Sequence, residues 1–212
     1  MINMEKYLNF KEKIDENKIK EIAYEIKNGK VVVFPTETVY GIGTNGLDEN
    51  AIEKLYKIKQ RPKEKPITLL VSDFEMIDKV AREINEIEYK LIKKFMPGPL
   101  TIILMKKEFV SDILTAGSKF VGIRIPDNEI ARKLIEYSGL PIATTSANLS
   151  GKVAKIDLED IRIEFKDKID YYIDGGTSKI GKGSTVVKVV ENNIKILREG
   201  SITKKQLEDT LK

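Results

Sequence analysis

Val31-Val32-Val33-Phe34, closed by Pro35, is an apolar run of β-branched and aromatic residues. It is the right length for a buried strand and too short for a helix. The feature recurs along the chain. Residues 67–71, 100–105, 121–125, 141–144, 170–173, 184–190 and 194–197 read the same way, the last two as a hairpin across Glu191-Asn192-Asn193. Segments of helical period lie between these runs. Ile19, Ile22, Ala23 and Ile26 share one face, and Gly29 stands where a glycine would end that helix. Asp48 or Asn50 caps a second helix that places Ile52, Leu55, Tyr56 and Lys59 on one face before Pro62 breaks it. Residues 74–95, 128–137, 157–163 and a final segment capped by Thr203 also read as helical, while 36–46 reads as a Gly- and Thr-rich connection. No strict strand–helix–strand rhythm and no internal repeat emerge. The expected fold is α/β, a twisted mixed sheet flanked by helices. Residues 1–16 read as a polar lead-in, 17–200 as one domain and 201–212 as a terminal helix.

Two absences bound the chemistry. The 212 residues include no Cys and no His. Disulfides, thiolate nucleophiles, Cys-based zinc sites, Ser-His-Asp hydrolysis and HExxH zinc chemistry are therefore excluded. Any reaction must run on Lys, Arg, carboxylates, hydroxyls, amides, backbone dipoles or a hard metal ion. With 41% hydrophobic and 33% charged residues the composition is that of a globular protein. The formal net charge of +4 permits a nucleic-acid partner without arguing for one. No signal-peptide core opens the chain and no apolar run reaches the ~18 residues of a membrane span, so a cytoplasmic protein with no membrane partner is expected.

Two motif matches fail on context. Gly41-Ile42-Gly43-Thr44-Asn45-Gly46 fits G-x-G-x-x-G, but the clear strand ends at Phe34 and the helix starts only after Gly46. A dinucleotide fingerprint requires both at the glycines themselves. Gly176 to Lys182 resembles a P-loop, yet Gly183 replaces the magnesium-binding hydroxyl and a β-branched strand follows where a helix should. A flexible Gly/Lys loop able to approach an anion is the better reading.

Four stretches share another pattern, in which a short strand runs into a loop of hydroxyls or basic groups. They are Phe34 to Gly41, Lys57 to Pro66, Thr144 to Gly151, and Gly183-Ser184-Thr185 with Arg198-Glu199-Gly200. Singly, each has an ordinary explanation as turn chemistry or helix-end charge. Yet Lys57, Lys59, Arg61, Lys63 and Lys65 crowd together against one acid, Glu64. Such a cluster repels itself unless an anion sits there, and a triphosphate is one that Arg and Lys bind well.

Taken in order, PTETVYGIG, KxRP followed by KP, GPLT, VGIRIP, TTSANLSG, GSTVV and REG resemble the YrdC/Sua5 family of threonylcarbamoyl-AMP synthases, collinearly from about Val31 to Gly200. The resemblance implies a twisted α/β sheet with a large, basic, concave cavity. It implies formation of threonylcarbamoyl-AMP and pyrophosphate from L-threonine, bicarbonate and ATP, the first step toward N6-threonylcarbamoyladenosine in tRNA. The family's KxR and SxN pairs fall on Lys59, Arg61, Ser146 and Asn148 as catalytic candidates. ATP binding maps to Lys59, Arg61, Lys65, Ser146, Ser184 and Arg198. Threonine binding maps to Thr36, Thr38, Tyr40, Arg124 and Thr144. Magnesium (Mg2+) is expected with ATP, and no metal ligand is assigned to the protein. Ala154 stands where the family often has a second hydroxyl. Candidate partners beyond the substrates are tRNA or double-stranded RNA and the proteins that transfer the threonylcarbamoyl group. Two rival readings are a non-catalytic RNA-binding module of ribosome or tRNA maturation and a carbamoyl-adenylate-forming enzyme of the hydrogenase-maturation type. The first leaves Thr38, Ser146 and Asn148 unexplained. The second occurs in chains with Cys-rich modules, and this chain has no Cys.

Overall fold

The computed structural model describes residues 7–211. Residues 1–6 of the expected lead-in, and Lys212, lie outside the described residues. The strands are β1 (Tyr7–Asn9), β2 (Val32–Phe34), β3 (Gly41–Asn45), β4 (Thr68–Leu70), β5 (Leu100–Met105), β6 (Phe120–Arg124), β7 (Ile142–Ser146), β8 (Tyr171–Asp174), β9 (Thr185–Val190) and β10 (Asn193–Arg198). The helices are α1 (Glu16–Lys27), α2 (Glu49–Lys59), α3 (Phe74–Val80), α4 (Glu86–Phe95), α5 (Asp112–Thr115), α6 (Glu129–Ser138), α7 (Leu158–Phe165) and α8 (Lys204–Glu208). All strands join one mixed sheet in the order β1-β8-β2-β3-β7-β4-β6-β5-β9-β10. Parallel pairs (β1–β8, β8–β2, β4–β6, β5–β9) alternate irregularly with antiparallel ones.

The helices form where apolar period and caps coincide. Asp15 caps α1 by accepting from the amides of Asn17 and Lys18, and Ile19, Ile22, Ala23 and Ile26 are buried as their spacing predicts. Asp48, not Asn50, caps α2. That helix ends at Gln60, held in the left-handed region at φ 49°, ψ 42°. A non-glycine residue there costs about 1–2 kcal/mol. The turn separates the directions of Lys59 and Arg61.

Three elements depart from the sequence expectation. Residues 7–9, read as polar lead-in, form β1 and pair in parallel with β8. Residues 74–95 are two helices, broken where Ala81 bridges to Lys106. Part of the expected 36–46 connection is β3, paired to β2 on one side and β7 on the other. Its sequence, Gly-Ile-Gly-Thr-Asn, has little β propensity, so packing decides. A Cβ on Gly43 would lie 2.7 Å from Thr144 Oγ1 and 2.8 Å from Ile142. Gly43 thus lets neighbouring strand side chains cross above it. These glycines belong to a sheet and open no nucleotide-binding helix.

Candidate functional site

Small residues hollow out the middle of one sheet face. Thr144 and Ser146 on β7 point to the same side, as do Thr68 and Leu70 on β4 and Gly122 and Arg124 on β6, each pair two residues apart. All of these except Gly122 line, with Gly41 and Thr101, a cavity of about 300 Å3, whose walls also include Thr36, Thr38, Tyr40, Arg61, Ala154, Ser184, Arg198 and Glu199. Every one of the four basic or hydroxyl-rich stretches contributes to it.

Three guanidinium groups converge there from distant segments. Arg124 ends β6 and is buried. Its Nε donates to Gly98 O (3.1 Å) and its Nη2 to Thr38 Oγ1 (2.9 Å). Nη2 also lies 2.7 Å from Glu37 Oε2, with both side chains less than one-tenth exposed. That contact is close enough for strong charge attraction but lacks hydrogen-bond alignment, so neither carboxylate oxygen of Glu37 receives a hydrogen bond. Thr36 Oγ1 donates to Val39 O (2.6 Å) and lies 2.9 Å from Thr38 Oγ1. A hydroxyl has one proton. With the Thr36 proton on Val39 O, Thr38 donates to Thr36 and accepts from Arg124. The result is one directed chain from guanidinium to backbone.

Arg61 is held by its own loop, Nε donating to Lys65 O (3.0 Å) and Nη2 to Pro66 O (2.8 Å). Arg198 reaches back from the end of β10 and donates to Ser184 O from Nε (3.2 Å) and Nη2 (2.8 Å), and from Nη2 to Ser184 Oγ (3.0 Å). Ser184 Oγ lies 2.7 Å from Thr101 Oγ1. Behind it, Thr185 Oγ1 accepts from the amides of Gly200 and Ile202. A Cβ on Gly200 would meet Thr185 N at 2.2 Å, so only glycine lets the Arg198-Glu199-Gly200 segment approach this closely. Burial lowers the pKa of Arg61. Burial, then the facing charges of Arg124 and Arg61, lowers that of Arg198. A guanidinium whose charge is disfavoured by burial and by two facing cations marks a place where an anion is favoured.

The expected residues separate into two layers. Thr36, Thr38, Tyr40, Arg61, Arg124, Thr144, Ser146, Ser184 and Arg198 line the cavity, while Lys59, Lys65 and Asn148 do not. Lys59 is buried, and its Nζ donates to the carbonyls of Ser146 and Asn148. Asn148 ties its own loop, Nδ2 donating to Leu149 O and Lys152 O at 2.8 Å. Lys65 offers its carbonyl to Arg61 and keeps its side chain exposed. Lys63 pairs with Glu53 at 3.1 Å and Lys57 is exposed, so Arg61 alone of the 57–65 cations lines the cavity. The Tyr40 ring lines the wall, but its hydroxyl donates to Gly176 O (2.7 Å) and accepts from Gly175 N (3.2 Å). Burial, reinforced by the charge of Asp174, raises its pKa. Among the described residues Arg198 makes no ion pair with Glu199. The loop that resembles a P-loop docks by its backbone, with Ile180 N on Glu37 O and Gly181 N on Thr38 O, both at 2.9 Å.

Glu37 and Thr101 were not picked out by sequence reasoning. Both sit inside recognised stretches, PTETVYGIG and GPLT. The acid between two threonines was the available signal, since a carboxylate in an otherwise hydroxyl and apolar run needs a cation beside it once buried.

A family model described as "telomere recombination", covering the Sua5, YciO and YrdC proteins, matches residues 25–200. The chain belongs to this family. It is 43% identical over 204 residues to the threonylcarbamoyl-AMP synthase of Pyrococcus abyssi, covering 96% of this chain and 60% of that protein. It is 46% identical over 178 residues to a putative threonylcarbamoyl-AMP synthase of Methanocaldococcus jannaschii, covering 84% of this chain and 83% of that protein. The crystal structure of P. abyssi Sua5 complexed with L-threonine superposes with a TM-score of 0.94 at 42% identity, over 97% of this chain and 60% of that one. The chain thus spans well under two thirds of the P. abyssi relative and most of the M. jannaschii one. Among the described residues no helix is long and apolar enough to cross a membrane.

Proposed function

We propose that this chain is an L-threonylcarbamoyladenylate synthase. The observation that carries the reading is the convergence of Arg61, Arg124 and Arg198 on a hydroxyl-lined cavity, in a chain similar to a protein whose structure holds L-threonine. Arg124, steadied by Thr38 and Glu37, receives the threonine carboxylate, a target suited to a guanidinium fork. The threonine amine adds to bicarbonate-derived carbon dioxide, forming a C–N bond and losing a proton to bicarbonate or water. The resulting carboxylate oxygen attacks the α-phosphorus of ATP, and the bond to pyrophosphate breaks. Such transfer depends on positioning and charge neutralisation more than on covalent help. Arg61, Arg198 and Ser184 are the cavity groups suited to hold phosphate oxygens, and Ser146 adds a further hydroxyl-bearing residue to the lining.

Glu199 is the single carboxylate lining the cavity, and among the described residues no three His, Cys, Asp or Glu side chains gather as a metal site. That donor set does not suit a resident metal. Magnesium would arrive with the ATP phosphates as part of the substrate. The product is an activated carbamate, so its consumer is a transferase that moves the threonylcarbamoyl group to an acceptor, which the family resemblance suggests is tRNA.

Pyrophosphate release, with threonine, bicarbonate or ATP omitted in turn, tests the reading. Release is expected only with all three together. Equal release with carbamoyl phosphate and no threonine favours the carbamoyl-adenylate reading instead. The phosphate assignment has its own test in Arg198→Ala. Its KM for ATP is expected to rise on the order of tenfold or more, the loss of a charge-assisted phosphate contact from the guanidinium nitrogen that Ser184 leaves free, with threonine affinity measured without nucleotide unchanged. Arg198→Lys restores the ATP KM only in part, because a point charge does not reproduce a fork. Unaltered kinetics at low ATP remove Arg198 from the phosphate site.

A further inference from the structure

Lys59 is 1% exposed, as deep as the aliphatic core. It ends α2 on the same face as Ile52, Leu55 and Tyr56, and its ammonium lies behind the cavity wall. Its Nζ donates to the carbonyls of Ser146 and Asn148, and its own carbonyl accepts from Ser150 N at 3.1 Å. One residue therefore grips the loop after β7 at each alternate position from 146 to 150. Carbonyls two residues apart converge on a single point, and the partner must reach them from a helix across the core. A lysine fits, with several donors, no acceptor and a long apolar stem.

Burial, then the charge of Arg61, pushes the Lys59 pKa down to about 7, while Glu164 on α7 acts in the opposite sense. Glu164 also accepts from Leu149 N at 3.1 Å, so Lys59 and Glu164 hold the same loop from two elements. A group with no exposed surface, drawn toward neutrality, is poorly suited to hold a triphosphate. The left-handed turn at Gln60 sends Arg61 to the cavity and leaves Lys59 under the loop.

We infer that Lys59 is a positioning residue that gathers the Ser146 and Asn148 carbonyls and so sets the Ser146 hydroxyl on the cavity wall. The pairing of K-x-R with S-x-N is then a division of labour. Arg61 and Ser146 face the ligand, and Lys59 and Asn148 hold the wall from behind. The kinetic half of the inference rests on the proposed adenylation. The conformational half does not.

Lys59→Met keeps the stem and removes the donors. Hydrogen exchange of the unliganded protein is expected to rise at least about tenfold within 146–152 and to stay unchanged in β5 and β6, as for a local opening. The kcat for pyrophosphate release is expected to fall on the order of 10²-fold, the effect of a displaced wall, with the KM for ATP held within about threefold. Lys59→Gln, which retains two N–H donors, is expected to recover part of both and serves as the second variant if the Met protein folds poorly. The inference is overturned if loop exchange is unchanged in both variants. It is also overturned if the KM for ATP rises in step with the loss of kcat/KM, the behaviour of a phosphate ligand. A wild-type protein that releases no pyrophosphate removes the adenylation reading and leaves the exchange result to judge Lys59.

Discussion

Glu37→Ala is expected to cost about 3–5 kcal/mol of stability, the penalty for removing one member of a buried ion pair. Arg124 and Glu37 are each less than one-tenth exposed and lie 2.7 Å apart. Without Glu37, the Arg124 guanidinium stays in place through Gly98 O and Thr38 Oγ1. Neither of those carries a charge. The remaining cation would then face Arg198 and Arg61 without its paired carboxylate. Urea unfolding followed by circular dichroism measures the loss. The double variant Glu37→Leu/Arg124→Met separates the ion pair from mere packing, since neutral, well-packed replacements of buried pairs are often as stable as the original. It is expected to regain most of the lost stability while binding no threonine. A Glu37→Ala protein within about 0.5 kcal/mol of the parent, the ordinary range for a surface change, would mean that the pair is solvated and not a built-in counterion.

Arg61→Ala is expected to lower turnover on the order of 10²-fold or more, the typical loss when one charge-stabilising contact leaves an active site. Of the cations between 57 and 65 it alone lines the cavity, so no neighbour stands ready to replace it. Its structural contacts are two carbonyls of its own loop, Lys65 O and Pro66 O, and the Tyr56 hydroxyl beside them. Thermal unfolding of the variant is therefore expected to follow the parent closely while pyrophosphate release collapses. Near-normal turnover would show that Arg198 and Ser184 hold the phosphates unaided. A large fall in melting temperature would show that the 61–66 loop depends on Arg61 for its structure.

The strands and helices were legible wherever apolar period and punctuation agreed. Val31 to Phe34 before Pro35 became β2, and the spacing of Ile19, Ile22, Ala23 and Ile26 became the buried stripe of α1. β3 was not legible, because Gly41 and Gly43 are chosen for what crosses above them, a property of the folded sheet. β1 was hidden for a related reason. Tyr7 to Asn9 has no alternating apolar pattern and gains its strand conformation from pairing with β8, far along the chain. In the site, the family resemblance pointed to Lys59, Arg61, Ser146 and Asn148, but a motif does not say which way a side chain points. The left-handed turn at Gln60 turns Lys59 inward and Arg61 outward. That turn carries no sequence mark, since Gln is not a residue that favours it. Charge crowding suggested a cation cluster at 57–65. The converging charges come instead from Arg61, Arg124 and Arg198, which only strand order brings together.

If the proposed function holds, one cavity joins threonine, a carbon from bicarbonate and the adenylyl group of ATP. The most direct measurement is mass spectrometry of the product formed with 13C-bicarbonate, 15N-labelled L-threonine and ATP, quenched before hydrolysis. The expected result is a single adenylate carrying the 13C carbon and the 15N atom together, with pyrophosphate in equal amount. An adenylate lacking threonine, or hydrolysis of ATP that proceeds equally without threonine and bicarbonate, would contradict the account.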